Sequence, residues 1–267
     1  MSTRSVGLAG ICVMYAAGLL AGVLAPAGYA DQDREHPDAP PSRAHWLGTD
    51  ELGRDRWSRL LHGTRVSLLL APAAAVVATA LAAAAGLTAA VSGKWTGEAM
   101  ALAFDVLLSL PLLFLLLALR ASLPLNVSAW ASLAITFALL ALLGWPSAAR
   151  VARAGALAAL ESTFALQARA AGIGKLRLLA VHLLPHLRPV VAAQFWLLVP
   201  AFILGEANLG ILGLGVVEPL PSWGSLLGEL QNLDSLRAQP WRLAPAAALL
   251  IAVCCFHLAG KTPAEEA

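Results

Sequence analysis

The sequence predicts an all-α integral membrane protein with six transmembrane helices. Three observations carry that expectation. Of 267 residues, 59% are hydrophobic and 13% are charged, about half the charged fraction of an ordinary soluble domain. The mean hydropathy is +0.73. The apolar residues also collect into runs close to the roughly 20 residues that cross a hydrocarbon core about 30 Å thick. Little chain is left for a separate soluble domain. The net charge of +2 provides no basic footprint for nucleic acid. Cys12, Cys254 and Cys255 all stand in apolar runs, where cysteine acts as a small hydrophobe. They define neither a disulfide framework nor a compartment.

Residues 1–30 hold the first helix, an apolar run from Val6 to Leu24 preceded by Arg4. Gly28-Tyr29-Ala30 also offers the small residues of a signal-peptide cleavage site. The run exceeds an ordinary signal core and more spans follow, so an uncleaved helix with its amino terminus inside is expected. Residues 31–65 are a polar segment with Pro37, Pro40 and Pro41. Within it Gly48 and Gly53 mark tight turns. Asp50, Glu51 and Asp55 can pair with Arg54 and Arg56. Trp57 to Gly63 reads as an interfacial helix with its aromatic at headgroup level. The residues by themselves describe a folded surface hairpin with no ligand.

Residues 66–260 hold the remaining five spans. Val66 to Val91 is Ala-rich, with Pro72 near its start; small residues let helices approach closely in lipid. Met100 to Leu119 contains Asp105 and Pro111. A carboxylate this close to a span is costly unless paired, so Asp105 is expected to have a structural partner. Arg120 to Asn126 is an outer loop, and Val127 to Trp145 is the fourth span. Pro189 to Gly205 is the fifth, broken by Pro200. Glu206 to Gly215 then reads as a bent, non-helical or re-entrant turn, tolerated at that depth only where protein or water covers the backbone. Leu243 to Ala259 is the last span, and 261–267 form a polar tail on the inner side.

Glu161 to His186 is the one long polar interruption in the second half. Phe164, Ala168 and Ala171 fall at i, i+4 and i+7, one face of a helix. Gly172 follows, where a helix commonly closes in a left-handed turn. This predicts a short amphipathic helix over about 161–172. Such a helix can dock into a groove on a partner, although on the pattern alone an ordinary surface connector is the simpler reading. Gly172-Ile173-Gly174-Lys175-Leu176 lacks both the upstream glycine and the terminal hydroxyl of a phosphate-binding P-loop. Any ATP hydrolysis must therefore occur on another chain. His182 and His186 have a zinc-like spacing, but Pro185 disturbs the helix between them, and packing is expected. Ser109 and Ser222 have no base in a recognisable arrangement. No catalytic, cofactor-binding or metal set emerges.

Residues 45–68, HWLGTDELGRDRWSRLLHGTRVSL, resemble the HPLGTDxxGRDxxSRLLYGxRxSL opening of the C-type permease subunit of ABC importers for dipeptides, oligopeptides and nickel. Gly48, Thr49, Asp50, Gly53, Arg54 and Asp55 carry that match. The 161–186 stretch is similar to the family's coupling loop, EAA…G…I-LP. Gln167 and Ala168 stand at the alanine positions, Gly172 is the glycine, and Leu184-Pro185 close the motif. Leu166 stands where glutamate is usual and His182 where isoleucine is. Glu206, Gly213 and Gly215 resemble EAxLSFLGLG, and Ser222, Trp223 and Gly224 resemble PPxPSWG. Asp105 and Pro111 match the family's spaced Asp and Pro. The resemblance runs from about His45 to Gly260.

It implies the type I ABC-importer permease fold in the cell inner membrane. It implies a heterodimer with a homologous permease, two cytoplasmic ATPase subunits and an extracytoplasmic solute-binding protein. Import of peptides or similar solutes would proceed by alternating access. The helix at 161–172 would meet the ATPase through Phe164, Leu166, Gln167, Ala168, Arg169, Ala171 and Gly172. Nickel or another chelated metal is the alternative cargo. An ATP-independent carrier or channel is the alternative mechanism, but neither a midplane charge nor an internal repeat marks one. The 18 Lys and Arg residues divide evenly between the two faces, so the orientation rests on the resemblance and not on the positive-inside rule.

Overall fold

The computed structural model describes residues 2–124, 126–174, 177–231, 237 and 239–261. Lys175, tail positions 262–267 and the side chain of Arg169 lie outside the described residues. Helix α1 spans Thr3–Leu19, with the Ser2 side chain accepting from the Ser5 N–H at its start. A further turn, Ala21–Leu24, follows.

The central mast is α2, Arg56–Val91, capped by the Asp55 carboxylate on the Ser58 N–H. The separate interfacial helix expected at 57–63 does not exist. The Asp55 cap starts the helix one residue earlier, and the helix meets no proline before Pro72. Pro72 has no N–H for the Leu68 carbonyl four residues back. The Tyr15 hydroxyl of α1 donates to that carbonyl at 2.5 Å. The proline therefore leaves no orphaned acceptor, and the repair also ties α1 to α2.

The expected third span is broken in two. Helices α3, Lys94–Ser109, and α4, Leu112–Ser122, meet at 81°. Pro111 is the cause: it forces the residue before it out of the helical region, and Leu110 sits at φ −87°, ψ 126°. The fourth span is longer than expected. Helix α5, Ala129–Gly144, is followed almost without interruption by α6, Pro146–Leu160, because Pro146 occupies a first-turn position that needs no N–H.

Helix α7 is Thr163–Ala170. A π-helical stretch, Leu178–Leu183, and one turn, Leu184–His186, lead into α8, Arg188–Ile211. The expected break at Pro200 and bend at Glu206 are both absent, since α8 runs through them. The turn comes later, with Gly213 at φ +74°. Helix α9, Trp223–Gly228, starts from a Ser222–Ser225 capping box. A 3-10 turn, Pro240–Leu243, precedes α10, Ala244–Gly260.

Among the described residues, four helical runs are long and apolar enough to cross a membrane, and the broken α3–α4 pair makes a fifth if it is one crossing. The count of six is reached only with α1, whose 17 residues stand at the lower limit for a span. Small residues line the mast where it meets α6: a Cβ at Gly86 would stand 2.9 Å from the Ala152 methyl. Close approach of this kind replaces the hydrophobic effect inside lipid. Val76, Leu102, Phe114, Leu142, Leu197 and Leu250 face outward and exposed, an apolar belt for lipid or a second chain.

The two ends of the mast lie far apart. The 31–55 segment gathers where α2 begins. A smaller apolar cluster of Ala83, Leu87, Ala168, Leu178 and Leu183 gathers where it ends. At 1.5 Å per residue the 36-residue mast separates them by about 50 Å.

Candidate functional site

The first feature is a buried polar node. The Glu206 side chain is fully buried in α8. Its Oε1 accepts from the Ser222 hydroxyl at 2.6 Å, and its Oε2 accepts from the Gly224 N–H at 3.2 Å and, more weakly, from the Ser67 hydroxyl at 3.5 Å. The Trp223 N–H donates to Ser67 Oγ, and its indole N–H donates to Thr64 Oγ1, both at 3.1 Å. Two motifs that looked separate in the sequence therefore form one cluster with α2. The absence of side chains permits it: a Cβ on Gly224 would stand 2.6 Å from the Glu206 carbonyl, and one on Gly210 would run into the Gly224 backbone. A Cβ on Gly215 would stand 2.7 Å from the Gly210 Cα. Each carboxylate oxygen is satisfied, which a polar group removed from water requires. The Ser222 hydroxyl does have an acid beside it, which sequence reasoning missed. With both groups sealed from solvent, the pair holds the loop and α9 onto α8.

The second feature is an ionic collar around the start of α2. Thr49 and Asp55 form an antiparallel bridge that closes the turn at Gly53 (φ +76°), directly after the turn at Gly48 (φ +70°). The Thr49 hydroxyl donates to the His36 carbonyl at 2.6 Å and accepts from the Ala39 N–H at 2.8 Å. Asp50 accepts from Arg54 Nε at 2.7 Å, as expected. Asp55 does not pair with an arginine; it caps α2 and meets His45 Nδ1 at 2.9 Å. Arg56 reaches Glu229 at 2.6 Å, Arg59 reaches Glu218 at 2.8 Å, Arg54 also meets Glu218, and Arg242 reaches Asp38 at 2.5 Å. Burial pushes the Glu218 carboxyl up, but Arg59 and Arg54 outweigh it and hold it below its ordinary value. Burial likewise pulls Arg54 down, and Asp50 with Glu218 more than restores it. Glu218, Glu229 and Asp38 went unnoticed in the sequence, and Arg242 counted only as one of the outer charges. Their one signal was that charges in so apolar a chain need partners.

Asp105 has the partner it needed, Arg150 at 3.2 Å across an exposed gap.

The third feature is α7, at the opposite end. Ala165 and Ala168 are buried, and the half-buried Phe164 ring packs on His186 at 5.1 Å. The expected third member of that face, Ala171, is exposed, because the helix ends at Ala170 and the chain has already turned. Gly172 makes that turn at φ +75°. The Ile173 N–H returns to the Ala168 carbonyl at 3.1 Å, the closure of a glycine-ended helix. Leu166 and Gln167 point outward, Leu166 with 53% exposure. Pro185 lies in the turn after the π-helical stretch. Among the described residues, no group of three or more His, Cys, Asp or Glu is placed to hold a metal.

Residues 75–260 match the family described as binding-protein-dependent transport system inner membrane component. The chain is similar to a Brucella suis protein named as a peptide permease, 34% identical over 231 residues, which span 86% of this chain and 74% of that one. It is similar to the oligopeptide transport system permease protein OppC of Bacillus subtilis, 32% identical over 256 residues, or 96% of this chain and 81% of OppC. It is also similar to the di/tripeptide transport system permease protein DppC of Pseudomonas aeruginosa, 33% identical over 261 residues, 95% of this chain and 84% of DppC. With its apolar helical bundle and a match covering most of its length, the chain belongs to the binding-protein-dependent transport system inner membrane components, as a multi-pass permease of the inner membrane.

Proposed function

We propose that this permease is one of two homologous membrane subunits of an ABC importer for peptides, driven by two cytoplasmic ATPase subunits and loaded by an extracytoplasmic binding protein. The relatives named for oligopeptide and di/tripeptide transport support the cargo. The observation that carries the mechanism is α7. It is anchored on one face by Ala165, Ala168 and Phe164, ended by Gly172, and open on the other face at Leu166 and Gln167. In this reading the open face, with Arg169 on the same helix and Ala171 at its end, seats in a groove of the ATPase. Closure of the ATPase pair displaces α7. The cluster of Ala168, Leu178 and Leu183 against α2 and α6 passes that displacement to the spans. The chain then has two packed states whose populations nucleotide shifts. Cargo passes between the two permeases over small and apolar walls, and the binding protein supplies selectivity.

The test is reconstitution in liposomes with the co-encoded permease, ATPases and binding protein, followed by uptake of a labelled tripeptide. Uptake that requires ATP and every subunit is expected. Uptake by this chain alone, without nucleotide, would contradict the proposal and favour a carrier.

A further inference from the structure

A groove of about 630 Å³ opens between α2 and α5, a size typical of small-molecule sites. Its composition is ordered along the helix axis. At the mouth stand Arg65, which is exposed, and His62 one turn earlier. The Tyr29 ring packs on His62 at 5.0 Å, and the Trp130 indole stands 68% exposed at the facing rim. The floor is Leu69, Leu70, Leu133 and Phe137. Among the described residues no carboxylate lines the groove, so the Arg65 guanidinium has no counter-charge there.

Depth adds a second constraint. Four basic or imidazole side chains, Arg56, Arg59, His62 and Arg65, precede a stretch from Val66 to Val91 that carries no charge. Arg65 thus marks the membrane interface and the floor lies within the hydrocarbon layer. Tyr and Trp beside it are at the level where aromatic residues gather.

We infer that this groove binds an anionic phospholipid, with its phosphate on Arg65 and its acyl chain along Leu69, Leu70 and Phe137. A guanidinium matches phosphate oxygens in a bidentate fork, and a basic side chain near a membrane surface attracts anionic head groups. A peptide is the poorer occupant. Each of its residues brings an N–H and a C=O, and the floor has no side-chain donor or acceptor to meet them, a costly desolvation. An acyl chain has no such groups.

The test places the full chain, purified with its co-encoded partner subunits, in nanodiscs of phosphatidylcholine containing a minority of phosphatidylglycerol. One lipid or the other is brominated. The Trp130 contribution to fluorescence quenching is isolated as the difference from Trp130→Phe. Brominated phosphatidylglycerol should quench Trp130 about fivefold more effectively than brominated phosphatidylcholine at equal content, the preference that one basic residue near the interface confers. Arg65→Gln should abolish the preference and Arg65→Lys should keep most of it. Equal quenching by the two lipids would overturn the inference. So would the lack of quenching by either, which would mean that the partner permease covers the groove, or relief of quenching by a saturating tripeptide, which would assign it to cargo. If Arg65→Gln fails to assemble, the wild-type ratio and the lysine variant still decide.

Discussion

Glu206 shows how much a single side chain can carry when it is sealed from water. Its carboxylate satisfies the Ser222 hydroxyl and the Gly224 N–H, so Glu206→Ala leaves buried donors unpaired at about 1–3 kcal/mol each. The apparent melting point of the purified complex should fall clearly for Glu206→Ala and less for Glu206→Gln, which keeps one acceptor oxygen. Glu218 is a different case, because it is half-exposed and held by charge. Its carboxyl is depressed in the folded chain. Its contribution is therefore present above the ordinary carboxylate range and is lost as pH falls through the lower folded value. The melting-point gap between wild type and Glu218→Gln should be small, because solvent screens a pair this exposed, constant near pH 7, and should close below about pH 4.5. A gap that widened in acid would refute the pairing. The Asp50–Arg54 pair and the need of Asp105 for a partner were legible in the sequence, because both follow from local charge in an apolar setting. The partners of Glu206 were not, since Ser222 and Gly224 return to it across a turn and Ser67 lies 139 residues away, and no local pattern announces them.

At the scale of elements, hydropathy located the spans but not their breaks. Four prolines illustrate why. Pro146 starts a helix, Pro111 ends one, and α2 and α8 run through Pro72 and Pro200. For Pro72 the difference is a neighbour: Tyr15 meets the carbonyl that the proline frees. Tyr15→Phe removes that donor, and unfolding measurements should show a loss of about 0.5–1.5 kcal/mol together with faster proteolysis at the α1 end. The amphipathic helix near 161–172 was readable as an element, and so was its glycine close. Its last-named face residue was not, because Ala171 lies beyond the final turn. Gly172 sits at φ +75°, with open space out to 4 Å around the position a Cβ would take. Backbone conformation and not crowding therefore selects glycine there. Proline locks φ near −65°. Gly172→Pro should therefore abolish ATP-dependent uptake while the complex still assembles; unchanged uptake would remove α7 from the mechanism.

Across the whole molecule, one mast joins two unlike ends. The ionic collar at its start ties the 31–55 segment to Glu218 and Arg242, and the first turn of α2 to Glu218 and Glu229, while α7 at its far end rests on a thin apolar seat and leaves Leu166 open. An ion-paired rim and a short helix with one open face, about 50 Å apart, fit the proposed transfer of motion from one end of the mast to the other. The motifs at 48–55 and 206–224 were visible as strings in the sequence. That they brace the same end through α2 emerges only from the packing. The most direct test of this account is a photo-cross-linking amino acid placed at Leu166 in the assembled transporter. The account predicts a covalent product with an ATPase subunit, whose yield changes when a non-hydrolysable ATP analogue is added. A product formed only with the binding protein, or with neither partner, would contradict it.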